Sequence, residues 1–169
     1  MRKHLSSALL RSLALIALAL PLLVSCGKDD APASSTDTVP SRNIPSGDIS
    51  TPEWNVSPDY DYSSSMTAVV DVDLMQTFPD LTPAEWQVDT ADLLGAFAGE
   101  ECVGVVKVKP TDGLFFLFIT APTSSEEDIA LRYYSTRLHN IFQADIVLHF
   151  ENGARLGSVN DPLKPVFTN

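Results

Sequence analysis

Cysteine is nearly absent: two residues in a chain of 169. That excludes a disulfide framework and a four-ligand zinc site. Histidine is scarce as well. Beyond His4 there are only His139 and His149, ten apart, with no Cys-x-x-Cys or His-x-x-x-His around them. A transition-metal centre is therefore not expected. Positive charge is short, with 11 Lys and Arg against 22 Asp and Glu, a net charge of -11. Nucleic acid is excluded as a partner on that balance, because phosphate neutralisation needs clustered cations. There is no G-x-x-x-x-G-K-[ST] phosphate loop and no G-x-S-x-G elbow. No Ser pairs recognisably with a His and an acid. A glycosidase carboxylate pair needs a deep cleft, which a domain of about 100 residues seldom offers. The expectation is a non-enzyme without cofactors, of a length that fits one compact domain.

The first 25 residues read as an address. Arg2, Lys3 and Arg11 give a basic start, and Leu13 to Val24 is an apolar run interrupted only by Pro21. The run falls short of the roughly 20 apolar residues that span a bilayer and has the length of a secretory leader. It ends in Leu23-Val24-Ser25-Cys26, which resembles a bacterial lipobox. That resemblance implies cleavage between Ser25 and Cys26 and acylation of the Cys26 thiol. Acyl burial contributes roughly 0.8 kcal/mol per methylene, so two or three chains anchor a protein firmly. The next residues, Gly27-Lys28-Asp29-Asp30, resemble the surface-export signal of Bacteroidetes lipoproteins, with Lys28, Asp29 and Asp30 as its charged core. Residues 1–25 hold three of the basic residues and none of the acids, so the chain after them has a net charge of -14. Such a charge keeps a domain soluble and repels it from anionic lipid.

Residues 26–65 read as a tether. Five of them are proline, and Ser, Thr, Asp, Gly and Asn make up most of the rest. Ala31 to Ser50 shows no sustained period of 2 or 3.6 and too little apolar surface to order itself. Trp54, Tyr60 and Tyr62 stand where the tether meets the domain, and two readings of them remain open. They lap onto the domain and seal its edge, or they form an aromatic platform for sugar or peptide, to which Trp86 is a further candidate. Asp59 and Asp61, like Asp71 and Asp73, present alternate carboxylates. These are weak calcium candidates, since Ca²⁺ takes six to eight oxygens but no loop has the EF-hand pattern. The favoured reading is a solvated acidic edge that discourages strand pairing.

Residues 66–167 read as strands. Met66 to Leu74 alternates, with Ala68, Val70, Val72 and Leu74 on one face. Leu93–Ala98 and Leu114–Ile119 are short apolar runs that suit central strands. Cys102–Lys109, Ile129–Tyr134 and Ala144–Phe150 complete the set, the last with Ile146, Leu148 and Phe150 inward. Turns are expected at Gly99-Glu100-Glu101, Pro110-Thr111-Asp112-Gly113 and Asn152-Gly153. Simple alternation puts Cys102 on the face of Gly104, Val106 and Val108, as a small buried hydrophobe. Thr82-Pro83-Ala84-Glu85 predicts one short helix to about Val88, by its capping Thr, Pro at the first position and Glu three residues after the cap. The fold class expected is all-β, an antiparallel sandwich, immunoglobulin-like or similar, with one short helix.

Leu94-Gly95-Ala96-Phe97-Ala98-Gly99-Glu100-Glu101-Cys102-Val103-Gly104-Val105 resembles the "GAFVGDECRGVA" hairpin of a module that recurs in Bacteroidetes secreted and surface proteins. In that module an apolar strand follows, here Phe115 to Ile119. Then comes a strand of the type Ile129-Ala130-Leu131-Arg132-Tyr133-Tyr134, and a Gly-containing segment with a Pro-Leu ending, here Leu156 to Leu163. Val103 stands where the module usually has Arg, so any role of that Arg is absent. The resemblance implies a β-sandwich accessory or interaction domain on a surface lipoprotein, with no associated reaction.

The functional expectation is a lipid-anchored outer-membrane lipoprotein at the cell surface, attached to the membrane through Cys26. Its sandwich is expected to be a non-catalytic binding module for glycan or protein. The alternatives are an adhesin-like structural subunit that assembles through a sheet edge and, further off, a small hydrolase. No feature of the sequence fixes an oligomeric state.

Overall fold

The computed structural model describes residues 43–58, 63–107, 113–123 and 128–169. All belong to the second of two units of the chain, Val39–Asn169. The order is β1 (Ser65–Asp71), a 3₁₀ turn (Leu74–Gln76), α1 (Pro83–Trp86), β2 (Leu93–Ala98), β3 (Glu101–Lys107) and β4 (Leu114–Thr120). Then follow β5 (Asp128–Ser135), β6 (Asn140–His149), β7 (Arg155–Leu156) and β8 (Phe167–Thr168). The strands form two sheets, β4-β1-β7 and β3-β2-β5-β6-β8. The described residues form an all-β sandwich with one short helix.

Alternation builds the core. Met66, Ala68 and Val70 of β1 face inward with Phe115, Leu117 and Ile119 of β4, all at most 1 % exposed. The five-stranded sheet answers with Leu94, Ala96, Leu131, Tyr133, Phe142 and Phe167. Tyr133 is the aromatic hub, with ring centroids 5.8 Å from Phe115, 6.2 Å from Phe142 and 5.8 Å from Phe167. Between β1 and β2, Leu74, Phe78 and Leu81 are buried, and Trp86 packs against the same core from α1. The helix is one turn, shorter than expected, but its start is as read. The Glu85 carboxylate accepts from the Thr82 N–H and hydroxyl, each at 2.7 Å.

The structure corrects several expectations. Pairing is not wholly antiparallel, because β7 and Leu163 lie parallel to β1. β4 is not a central strand but an edge strand of the smaller sheet, with Phe116 and Phe118 turned outward. β6 starts at Asn140, four residues ahead of the expected Ala144. Val103 is an extra residue in the β2–β3 ladder: Ala96 pairs with Gly104 and Phe97 with Cys102. A bulge of this kind shifts the alternation by one. Val103 therefore enters the core, and Cys102 moves to the opposite face from Gly104, half-buried. Burial holds its thiol above the ordinary range, so it stays protonated. Gly104 serves a close crossing of the sheets. A Cβ there would stand 2.5 Å from the Phe118 carbonyl oxygen, and beside it the Thr120 hydroxyl donates to the Val103 carbonyl at 3.0 Å. The expected turn at Pro110-Thr111-Asp112 lies outside the described residues.

Folding also begins earlier than residue 66. Residues 44–56, read as tether, form an extended strap on the sandwich. Gly47 and Ile49 donate to the carbonyls of Leu138 and His139 at 2.8 and 2.9 Å. Asn140 donates to the Pro45 carbonyl at 2.8 Å, and the Tyr134 hydroxyl to that of Ile49 at 3.2 Å. The backbone bonds require no side-chain periodicity, which is why composition alone reads the segment as unstructured.

Candidate binding cleft

Register across the five-stranded sheet sets the site. Gly95 of β2 pairs with Arg132 of β5, Arg132 with Gln143 of β6, and Gln143 with Thr168 of β8. These four form one cross-strand row on the outer face, opposite the core. The strap brings Trp54 to the Gly95 end of the row. A Cβ on Gly95 would come 3.0 Å from the indole and 2.6 Å from the Phe97 ring, so glycine is what lets the indole settle there. Trp54 meets Phe97 edge-on, centroids 5.3 Å apart at 78°.

Arg132 is fixed from two sides. Its guanidinium lies 4.4 Å from the Phe97 ring centre, a cation–π contact. Both terminal nitrogens reach Glu100, at 3.1 and 3.3 Å. The hydrogen bond from Arg132, and then its charge, hold the Glu100 carboxyl below the usual carboxylate range. Glu100 is exposed, so solvent leaves this pair little energetic weight, yet it neutralises the guanidinium.

The result is a cleft of about 230 Å³ lined by Trp54, Arg132, Ile141, Gln143, Thr168 and Asn169. One wall is an indole, and the floor is the polar row. Asn169 uses its side-chain oxygen to accept from Asn140 at 2.8 Å. Among the described residues, the Trp54 N–H, the Gln143 amide and the Thr168 hydroxyl find no hydrogen-bond partner. Such an arrangement offers stacking area and both donors and acceptors at once.

Of the two expected platform residues that are described, Trp54 and Trp86, only Trp54 lies in this cleft. Trp86 packs against the core, so the two tryptophans are not one surface. Tyr60 and Tyr62 lie outside the described residues, as do Asp59, Asp61, Ser25, Cys26, Lys28, Asp29 and Asp30. Asp71 and Asp73 are spent separately: Asp71 stands 3.7 Å from the Lys164 ammonium, and Asp73 accepts from the Met75 N–H at 2.9 Å. Among the described residues no group of three or more His, Cys, Asp or Glu is placed to hold a metal. No helix among them is long and apolar enough to cross a membrane. β7 and β8, the last strands of their sheets, are two residues each, a length that limits strand addition there.

Sequence reading missed Arg132, Gln143, Thr168 and Asn169 as a site. Alternation along β5 and β6 assigns the outward face, but the row exists only through pairing between strands. Asp92 was missed too. It is fully buried, and its carboxylate accepts from the Tyr133 hydroxyl at 2.6 Å and the Asp89 N–H at 2.7 Å. Its other oxygen takes the Thr136 N–H and hydroxyl at 2.8 and 2.6 Å. Burial first, and then the Asp92 charge, push the Tyr133 phenol far above its ordinary range. This cluster ties the start of β2 to the end of β5. No protein-family model, curated protein or solved structure matches the chain.

Proposed function

We propose that this chain is a lipoprotein, acylated at Cys26 and displayed on the outer membrane at the cell surface, whose sandwich is a non-catalytic binding module for a glycan or protein ligand. The leader pattern from Arg2 to Cys26 and the charged Lys28-Asp29-Asp30 that follows support the address. The observation that carries the module is the row from Gly95 to Thr168 with Trp54 standing over one end. A concave patch with an aromatic wall and uncommitted polar groups suits recognition. Its lining supplies stacking and hydrogen bonds, not the carboxylate pair or activated nucleophile of a hydrolase. The strap also joins address to site, since the segment leading from Cys26 to β1 delivers Trp54.

Metabolic labelling with a clickable palmitate analogue, followed by protease treatment of intact cells, tests the address. The native chain is expected to take label and to be clipped from outside. Cys26→Ala is expected to take none and to leave the membrane fraction. Label in that variant, or protection of the native chain from external protease, overturns the proposal.

A further inference from the structure

We infer that the Trp54 cleft is a subsite for one neutral pyranose ring, such as the terminal sugar of a glycan; this rests on the binding-module reading above and narrows its ligand. Three observations converge on that class.

The first is size. At about 230 Å³, the cleft lies below the roughly 300–1,000 Å³ typical of pockets for drug-sized ligands. It admits a single ring, not a folded chain or a long extended segment.

The second is the kind of surface. A pyranose has a C–H face on one side and hydroxyls around its rim, each of which both donates and accepts. The cleft has the complement. Trp54 supplies an aromatic wall, and the Gln143 amide and Thr168 hydroxyl each donate and accept, with neither hydrogen-bonded to any described residue. Gln143 and Thr168 are register neighbours on adjacent strands, so two vicinal hydroxyls would meet two groups held by the sheet. The Asn169 amide keeps its NH₂ in reserve, because its oxygen is the atom bonded to Asn140. An extended peptide would instead call for a run of free backbone groups. At this point β6 already pairs on both sides, with β5 and with β8.

The third is charge. Arg132 is the one charged side chain among the described lining residues, and Glu100 holds both terminal nitrogens. The guanidinium is positioned by Glu100 and Phe97, and it offers little net charge to an anionic group. Neutral sugars fit that balance better than uronic or sialic acids.

Titration of the ¹⁵N-labelled full lipoprotein in detergent micelles tests this. The probes are the methyl glycosides of glucose, galactose, mannose, N-acetylglucosamine and fucose, with methyl glucuronide as the anionic control. At least one neutral glycoside is expected to shift the Trp54 indole and Gln143 amide cross-peaks saturably. Gln143→Ala is expected to weaken that binding about tenfold while its spectrum stays folded, and Trp54→Phe to retain part of it. The inference is overturned by three outcomes: no neutral glycoside moves these peaks, Gln143→Ala binds as tightly as the native chain, or glucuronide binds tenfold better. An unstructured peptide mixture that moves the same peaks where glycosides do not would also overturn it, yet would leave the binding module standing. The palmitate readout is independent of all of these.

Discussion

Asp92 and Gln143 both carry polar side chains on the five-stranded sheet or at its margin, and the two have opposite fates. Both Asp92 oxygens are engaged, by the Tyr133 hydroxyl, the Asp89 N–H and two groups of Thr136. The Gln143 amide bonds to no group among the described residues. Asp92 is closed off from water, whereas Gln143 is exposed. A buried carboxylate is tolerated only when fully partnered, so Asp92 is structural. An exposed amide costs nothing while water serves it, and its bonds are not used up by the fold. Polar groups in this sandwich thus divide by whether the protein itself uses up their hydrogen bonds.

The largest expected effect lies at the spent end. Asp92→Ala would strand the Tyr133 hydroxyl and the Thr136 and Asp89 donors together. Each buried donor left unpaired costs about 1–3 kcal/mol, so urea melts should show a loss of about 3 kcal/mol or more. A loss below about 1 kcal/mol would mean that water replaces the carboxylate, and the contrast with Gln143 would fail.

Tyr133→Phe comes next. It removes one charge-assisted bond to Asp92 and should cost about 1.5–3 kcal/mol. It also carries a pH signature. The native phenol is held far above the ordinary value of 10.0 by burial and by Asp92. In the unfolded chain it ionises at the ordinary value, so its contribution is fully present below pH 10 and is lost as the pH rises beyond it. Native stability should therefore fall more steeply above pH 10 than that of Tyr133→Phe. Parallel curves from pH 9 to 11 would show that some other group carries the alkaline loss.

What could be read without the fold follows the same division. β2 was legible to the residue, because six consecutive small or apolar side chains between turn residues leave no other assignment. The inner and outer faces of β1 were legible from alternation. Cys102 was misplaced because an insertion of one residue at Val103 leaves no mark on a single sequence. The start of β6 was missed because the turn before it has no glycine. His139 occupies the left-handed position there, at φ 48°, where turn reading looks for Gly or Asn. β7 and β8 are too short for any period. The strap and the cleft depend on backbone bonds and on cross-strand register, neither of which is a property of local sequence.

Trp54→Ala probes the boundary between the two regimes, since Trp54 both seals Phe97 and walls the cleft. It is only half-buried, so its loss should fall below the ~3–5 kcal/mol of a fully buried Trp, near about 1–2 kcal/mol. The strap should remain bonded through Gly47 and Ile49. Hydrogen exchange checks this: protection of those two amides should survive in the variant. Its disappearance would show that the indole, not the backbone bonds to Leu138 and His139, holds the strap.

Gln143→Ala should have the smallest effect on stability and is the sharpest test of the contrast. The side chain is exposed and unpartnered, and surface substitutions of that kind stay within about ±0.5 kcal/mol. Alanine keeps the backbone ladder to Arg132 and Thr168 intact. Urea midpoints of variant and native chain should coincide, while sugar affinity falls. If stability drops by more than about 1 kcal/mol, the amide has a partner within the fold. The row from Gly95 to Thr168 would then be structural like the Asp92 cluster, not a surface held ready for a ligand.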